Sequence, residues 1–233
     1  MDTLVLQYDD RPIDEFKNLI KENENYCKKF NYDYKFLNSG VYENIPPYWR
    51  KVFLVKEYLN SYKCVLWIDT DAVIISHDSI DTLFKPDTHF AFSSNPSLFH
   101  LNVLDMLSAP MCAGVWAVKN TSEGKCIMNA WAKSYDPTTW VKKEDLLNSN
   151  LKNNNKFVWK ASCIYGGICY EQGAFEIHIL RTNNYNKWLS HWEHNVMNYL
   201  PLDDDKIKGF TCPPKVFALH YWTGNRNHIK KHF

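Results

Sequence analysis

Residues 64–75 read Cys64-Val65-Leu66-Trp67-Ile68-Asp69-Thr70-Asp71-Ala72-Val73-Ile74-Ile75. Cys64 to Ile68 has the length and the branched, apolar character of a strand covered on both faces. Asp69 and Asp71 then interrupt the apolar run. An unpaired buried carboxylate costs roughly several kcal/mol, so this pair requires a cation or a set of hydrogen bonds. Central strands carry function at their carboxyl ends, where the sheet opens to ligand. The stretch therefore reads as a metal site at the tip of a central strand. An ordinary turn after a strand is the plainer alternative for the triplet taken alone.

Working outward, residues 3–8 form a first apolar strand ending in Asp9-Asp10, and Pro12 can open a helix. Ile13, Phe16, Ile20, Cys27 and Phe30 follow helical spacing to about residue 30. Residues 34–37 make a short second strand. A second helix is expected over residues 48–59, with Val52, Val55 and Leu59 on one face. The order is β-α-β-α-β, which predicts an α/β fold with a mixed, mainly parallel sheet flanked by helices. Further along, residues 79–84 form a short helical piece, and residues 90–92 and 113–119 form strands. Ser122 caps a helix running to about residue 133. Residues 134–160 are polar and read as an excursion with some helix. Residues 170–179 are helical, and residues 216–221 form a late strand. With no repeat and no long linker, residues 1–233 read as a single domain.

Size and composition agree. A chain of 233 residues can bury a substantial core. Its 27 basic and 26 acidic residues give a net charge of +1, which offers no general case for nucleic acid or an anionic membrane. No apolar run approaches the ~20 residues needed to span a bilayer, and the N-terminus lacks the pattern of a signal peptide. The 7 cysteines are scattered, with no paired metal-binding spacing, and fit reduced thiols in a cytoplasmic protein.

Three further segments carry chemical potential. Glu171-Gln172-Gly173-Ala174-Phe175 puts two polar residues at a helix opening. His220 ends a strand, where its imidazole can meet a metal, and Gly224 follows in a turn with Arg226, Lys230 and Lys231 nearby. Trp49-Arg50-Lys51 opens the helix that feeds the central strand.

Together these segments resemble the nucleotide-sugar glycosyltransferases of the GT-A (Rossmann-like) fold. The resemblance is to the galactosyl, xylosyl and mannosyl transferases of the fungal and plant Golgi. It rests on Trp67-x-Asp69-x-Asp71-Ala72, on Ala113-Gly114-Val115 (with Cys112 where Asn is usual), on Glu171-Gln172-x-Ala174 and on His220 with Gly224. It implies a metal-dependent transfer of a hexose or similar sugar from a nucleotide diphosphate sugar to a glycan or glycoprotein hydroxyl, with retention as the outcome in the resembling family and an inverting reaction, with Glu171 as base, as the alternative. A UDP-sugar is the first choice of donor and a GDP-sugar the second.

By the same resemblance, residues 1–120 form the nucleotide-binding half and residues 121–233 the sugar and acceptor half. Asp69, Asp71 and His220 hold Mn2+ or Mg2+. Tyr8, Asp9, Lys51, Asp69, Thr70, Ala113, Gly114, Gly224 and Lys230 contact the donor, with Arg226 a further choice at the diphosphate. Glu171 and Gln172 serve the reaction itself. Ser94, Asn95, Trp140 and Trp159 lie on the acceptor side. The absence of an anchor suggests a soluble version of the kind encoded by large viruses and bacteria, acting in cytoplasm. Two alternatives stand beside this reading. One is a phosphatase of the haloacid dehalogenase class, whose first Asp is a nucleophile. The other is a non-catalytic sugar-binding scaffold.

Overall fold

The structure is a computed structural model that describes residues 3–38, 40–94, 111–142, 159–163, 165–199 and 216–221. Strand β1 (Thr3–Tyr8) leads through a single 3-10 turn (Asp14–Phe16) into helix α1 (Lys17–Phe30). Pro12 thus lies ahead of the helix and does not open it. The helix stops at Asn31, whose left-handed backbone (φ 56°) lets its N–H reach the carbonyls of Cys27 and Lys28. Strand β2 (Asp33–Leu37), helix α2 (Pro47–Tyr58) and strand β3 (Cys64–Ile68) follow. Pro47 sits in the first turn of α2, where its missing N–H costs nothing.

The remaining elements are β4 (Ala72–Ile74), β5 (Phe90–Ser94), β6 (Met111–Lys119) and α3 (Ser122–Lys133), then β7 (Trp140–Lys142) and β8 (Trp159–Ala161). They continue with α4 (Glu171–Phe175), β9 (Leu189–Trp192), α5 (His194–Met197), β10 (Asn198–Tyr199) and β11 (Ala218–His220). Thr121, not Ser122, caps α3: its hydroxyl accepts from the Gly124 N–H at 3.1 Å. The described parts of residues 134–160 hold a 3-10 turn (Pro137–Thr139) and the antiparallel pair β7–β8, where some helix was expected. β9 and β10 were not anticipated.

The central sheet has six strands in the order β2-β1-β3-β6-β5-β9. β1 pairs in parallel with β2 and β3, and β5 with β9, while β6 runs antiparallel between β3 and β5. The sheet is therefore mixed. Both faces are covered, so β1 and β3 are buried along their whole length. Alternate side chains go to opposite faces. Leu4, Leu6, Val65, Trp67, Trp116 and Val118 pack with α2, α3 and α4, whereas Val5, Leu66, Ile68, Val115 and Ala117 pack with α1 and β4. Among the described residues no helix is long and apolar enough to cross a membrane.

A second sheet, β10-β11-β4, begins where β3 ends. The sequence run 64–75 is thus not one strand. Its two halves belong to different sheets, and the Asp69–Asp71 turn is the hinge of that switch.

Candidate active site

Register places the three candidate metal ligands together. β11 runs antiparallel to β4 with His220 opposite Ala72, and the Tyr221 N–H donates to the Asp71 carbonyl at 2.7 Å. The His220 Nε2 therefore lies 3.2 Å from Asp71 Oδ1. Asp69, Asp71 and His220 each offer one ligand atom, all within 4.8 Å of one another. The imidazole rests on Gly114, where an added Cβ would stand 2.2 Å from its Cε1. Gly114 is thus required by close approach. Two carboxylates and one imidazole are a donor set that suits a divalent cation such as Mn2+ or Mg2+.

Burial disfavours charge on His220, but hydrogen bonding to Asp71 and to Cys112, whose Sγ lies 3.9 Å from Nδ1, outweighs it and pushes the pKa up to about 10. Cys112 in turn accepts from the Asn198 amide at 2.7 Å.

Asp69 is fixed from the other side. Its Oδ1 accepts from Lys51 Nζ at 2.8 Å and from the Trp67 indole at 2.7 Å, and its backbone N–H donates to the Gly114 carbonyl at 2.7 Å. Lys51 also donates to the Ala113 carbonyl at 3.2 Å and stands 3.7 Å from Glu171 Oε1. Burial opposes its charge, yet Asp69 and Glu171 hold its pKa above the ordinary lysine value. Lys51 was expected at ribose or phosphate; it is buried and committed to these partners.

Glu171 opens α4 and is buried. Burial raises its pKa to about 7, Lys51 pulling it down and Asp69 pushing it further up. Its Oε2 has no hydrogen-bond partner among the described residues. Gln172 is half-buried in the same first turn.

The carboxyl end of β1 completes this edge. The Thr70 hydroxyl donates to the Tyr8 carbonyl at 3.3 Å, and the Tyr8 hydroxyl is bonded by Arg50. Asp9 is buried and receives both Nε and Nη2 of Arg11, at 2.8 and 2.7 Å. Tyr8, Asp9, Lys51, Asp69, Thr70, Asp71, Ala113, Gly114, Glu171, Gln172 and His220 thus line one edge of the sheet. Gly224, Arg226, Lys230 and Asn95 lie outside the described residues. Ser94 is turned to His191, whose Nε2 is 2.7 Å from its hydroxyl. Trp140 is buried with its indole N–H committed to the Cys169 carbonyl at 3.1 Å, so it presents no open ring face.

Three residues of this edge escaped the sequence reading. Arg11 has a partly exposed guanidinium whose charge is strengthened mainly by Asp9, and also by Asp71 and Asp69. Gln7 and Asn23 form a fully buried polar link beneath the Asp turn. Gln7 Nε2 donates to the Asp69 carbonyl at 3.2 Å. Asn23 Nδ2 donates to the Ala72 carbonyl at 3.0 Å, while its Oδ1 accepts from the Ile74 N–H at 2.8 Å. The Asn23 amide also reaches Gln7 Oε1 at 3.3 Å. A glutamine in an otherwise apolar strand was the visible signal for Gln7. Asn23 was hidden among the charged residues of α1.

Comparison with known proteins agrees with the geometry. Residues 5–91 match the model of the galactosyl transferase GMA12/MNN10 family. The crystal structure of a glycosyltransferase involved in glycosylation of the major capsid of PBCV-1 superposes with a TM-score of 0.59 at 13% identity. That superposition covers 98% of this chain and 97% of the viral enzyme. No curated protein sequence matches. The family matched over residues 5–91 and the solved structure that shares this fold are both glycosyltransferases, in line with the resemblance read from the sequence. The matched segment contains Lys51, Asp69 and Asp71, but not Gly114, Glu171 or His220, which join them only through the fold.

Proposed function

We propose that this chain transfers a hexose or similar sugar from a nucleotide diphosphate sugar, first of all a UDP-sugar, to a hydroxyl of a glycan or glycoconjugate. The observation that carries the reading is the convergence of Asp69, Asp71 and His220 beside the buried Lys51–Glu171 pair. Asp69, Asp71 and His220 would hold Mn2+ or Mg2+, and the ion would offset the negative charge that grows on the departing diphosphate. Arg11, partly exposed beside the same carboxylates, offers a fixed cation to the phosphates in addition to Lys230 and Gly224 of the C-terminal segment. Tyr8, Asp9 and Thr70 would face the nucleoside.

The sugar would lie over Ala113 and Gly114, with Glu171 and Gln172 at its reacting carbon. A carboxyl with a pKa near 7 is divided between both protonation states at neutral pH, so it can accept from or donate to a hydroxyl. Gln172 supplies a neutral amide for a transition state formed on one face of the sugar, which favours retention. In this reading residues 1–233 act as one unit, with the nucleotide on residues 1–120 and the sugar and acceptor on residues 121–233.

The test is donor turnover followed by proton NMR with UDP-glucose, UDP-galactose and UDP-xylose. Release of UDP that depends on Mn2+, is abolished in Asp71→Asn and leaves an α-configured product supports the proposal. Metal-independent release that survives Asp71→Asn contradicts it.

A further inference from the structure

Among the described residues, three large apolar side chains stay exposed: Val141 at 41%, Tyr165 at 68% and Ile168 at 54%. Tyr165 is the most exposed of them, and its ring is seated on an aromatic cluster. Tyr165 meets Tyr48 edge-on at 5.9 Å and Tyr170 at 5.2 Å. Tyr48 and Tyr170 both pack on Trp140, the neighbour of Val141 in β7. A solitary exposed apolar residue needs no explanation, but an open ring held edge-on by two other aromatic side chains is a ready stacking surface.

The cluster is rigidly built. The Cys169 carbonyl accepts two indole N–H groups, from Trp49 at 2.8 Å and Trp140 at 3.1 Å. Gly166 turns the segment with φ at 76°, and Gly173 lets it lie directly on α4, since a Cβ there would be 2.2 Å from the Gly167 carbonyl oxygen. Ordering this segment therefore leaves little further entropy to lose on binding.

The cluster also borders the reacting groups. Tyr170, on which the Tyr165 and Tyr48 rings pack at 5.2 and 4.9 Å, directly precedes Glu171 at the start of α4. Glu171 is buried, yet its Oε2 is left without a partner among the described residues. A buried polar atom left unsatisfied is a position where a ligand group is expected.

From these two independent observations, and resting on the transferase reading above, we propose that Tyr165 is the stacking platform of the acceptor subsite. It receives the C–H face of a pyranose ring, with an acceptor hydroxyl directed to Glu171 Oε2. A pyranose suits this place because one of its faces is apolar and its rim is hydroxylated. That matches an open aromatic ring seated on Tyr170, the neighbour of a residue with a buried, unsatisfied carboxylate oxygen. The nucleotide is assigned to the other side of the site, at the end of β1.

Saturation-transfer NMR on the full chain tests this. The probes are the methyl glycosides of glucose, galactose, mannose and xylose, each with and without UDP and Mn2+. The wild type should bind at least one glycoside through the protons of a single ring face. Tyr165→Ala should weaken that binding at least tenfold, and Tyr165→Phe should restore it. UDP titration in the same variants reads the donor site separately, so failure of the donor reading and failure of the platform are distinct. Equal glycoside binding by Tyr165→Ala overturns the proposal. So does a parallel loss of UDP binding, which would make the ring a nucleotide contact. Absence of glycoside binding to the wild type overturns it as well.

Discussion

Glu171 and His220 are two buried titratable residues with opposite requirements. The native pKa of Glu171, about 7, exceeds its ordinary value of 4.5. Between these pH values the folded protein holds the proton more tightly than the unfolded chain, so stability falls as pH rises from 4.5 through 7. Glu171→Gln is therefore expected to raise stability by about 1–3 kcal/mol at pH 8 and to change it little below pH 4.5. Denaturant melts at the two pH values check this, and equal effects at both would show that the carboxyl is not strained. His220 has the reverse sign. Its pKa, raised to about 10, means that its pairing with Asp71 stabilises the fold fully below pH 6.5 and is lost as pH rises through 10. A metal needs the neutral imidazole, so Mn2+ affinity should climb steadily between these limits. Calorimetric titration at pH 7 and pH 9 reads that slope.

At the scale of elements, the switch from β3 to β4 places the Asp turn between two sheets, and a fixed set of contacts holds it there. Gly114 on β6 admits the His220 ring. Gly114→Ala should keep the fold but force the imidazole away, weakening metal-dependent nucleotide binding at least tenfold. An alanine variant that binds as the wild type does would remove the ring from the site. Asn23 of α1 bridges the Ala72 carbonyl and the Ile74 N–H, as a short piece of strand would. Asn23→Ala leaves both groups buried without that partner and should cost about 2–4 kcal/mol, read as a lowered unfolding midpoint. These elements were unevenly legible in the sequence. β1 and β3 read as continuous apolar runs because both faces of the sheet are covered, and α2 shows the helical spacing of Val52, Val55 and Leu59. β10 has only two residues, and β9, Leu189-Ser190-His191-Trp192, sits at the sheet edge with its two polar residues side by side, so neither has a periodic signal of its own. The continuous run 64–75 concealed a change of sheet, because burial is equally strong on either side of the Asp pair.

For the molecule as a whole, the site is assembled from segments far apart in the chain. Asp69 and Asp71 follow β3, Glu171 opens α4, and His220 ends β11. The residue types were legible, since carboxylates after an apolar strand and a histidine at a strand end are conspicuous. Their partners were not, because Gln7 and Asn23 acquire their roles only when sheet and helix bring them under the Asp turn, and Arg11 only where the end of β1 sets it on the buried Asp9. Lys51 looked like a ligand contact from its place on α2, but folding turns it inward to Asp69 and Glu171. The central claim is that this assembly binds a nucleotide diphosphate through a divalent cation. The most direct measurement is calorimetric titration of UDP and of GDP into the full chain, each with Mn2+ and with EDTA. The account predicts binding of UDP that appears with Mn2+ and vanishes with EDTA. Binding of neither nucleotide in the presence of Mn2+, or equal binding with EDTA, would contradict it.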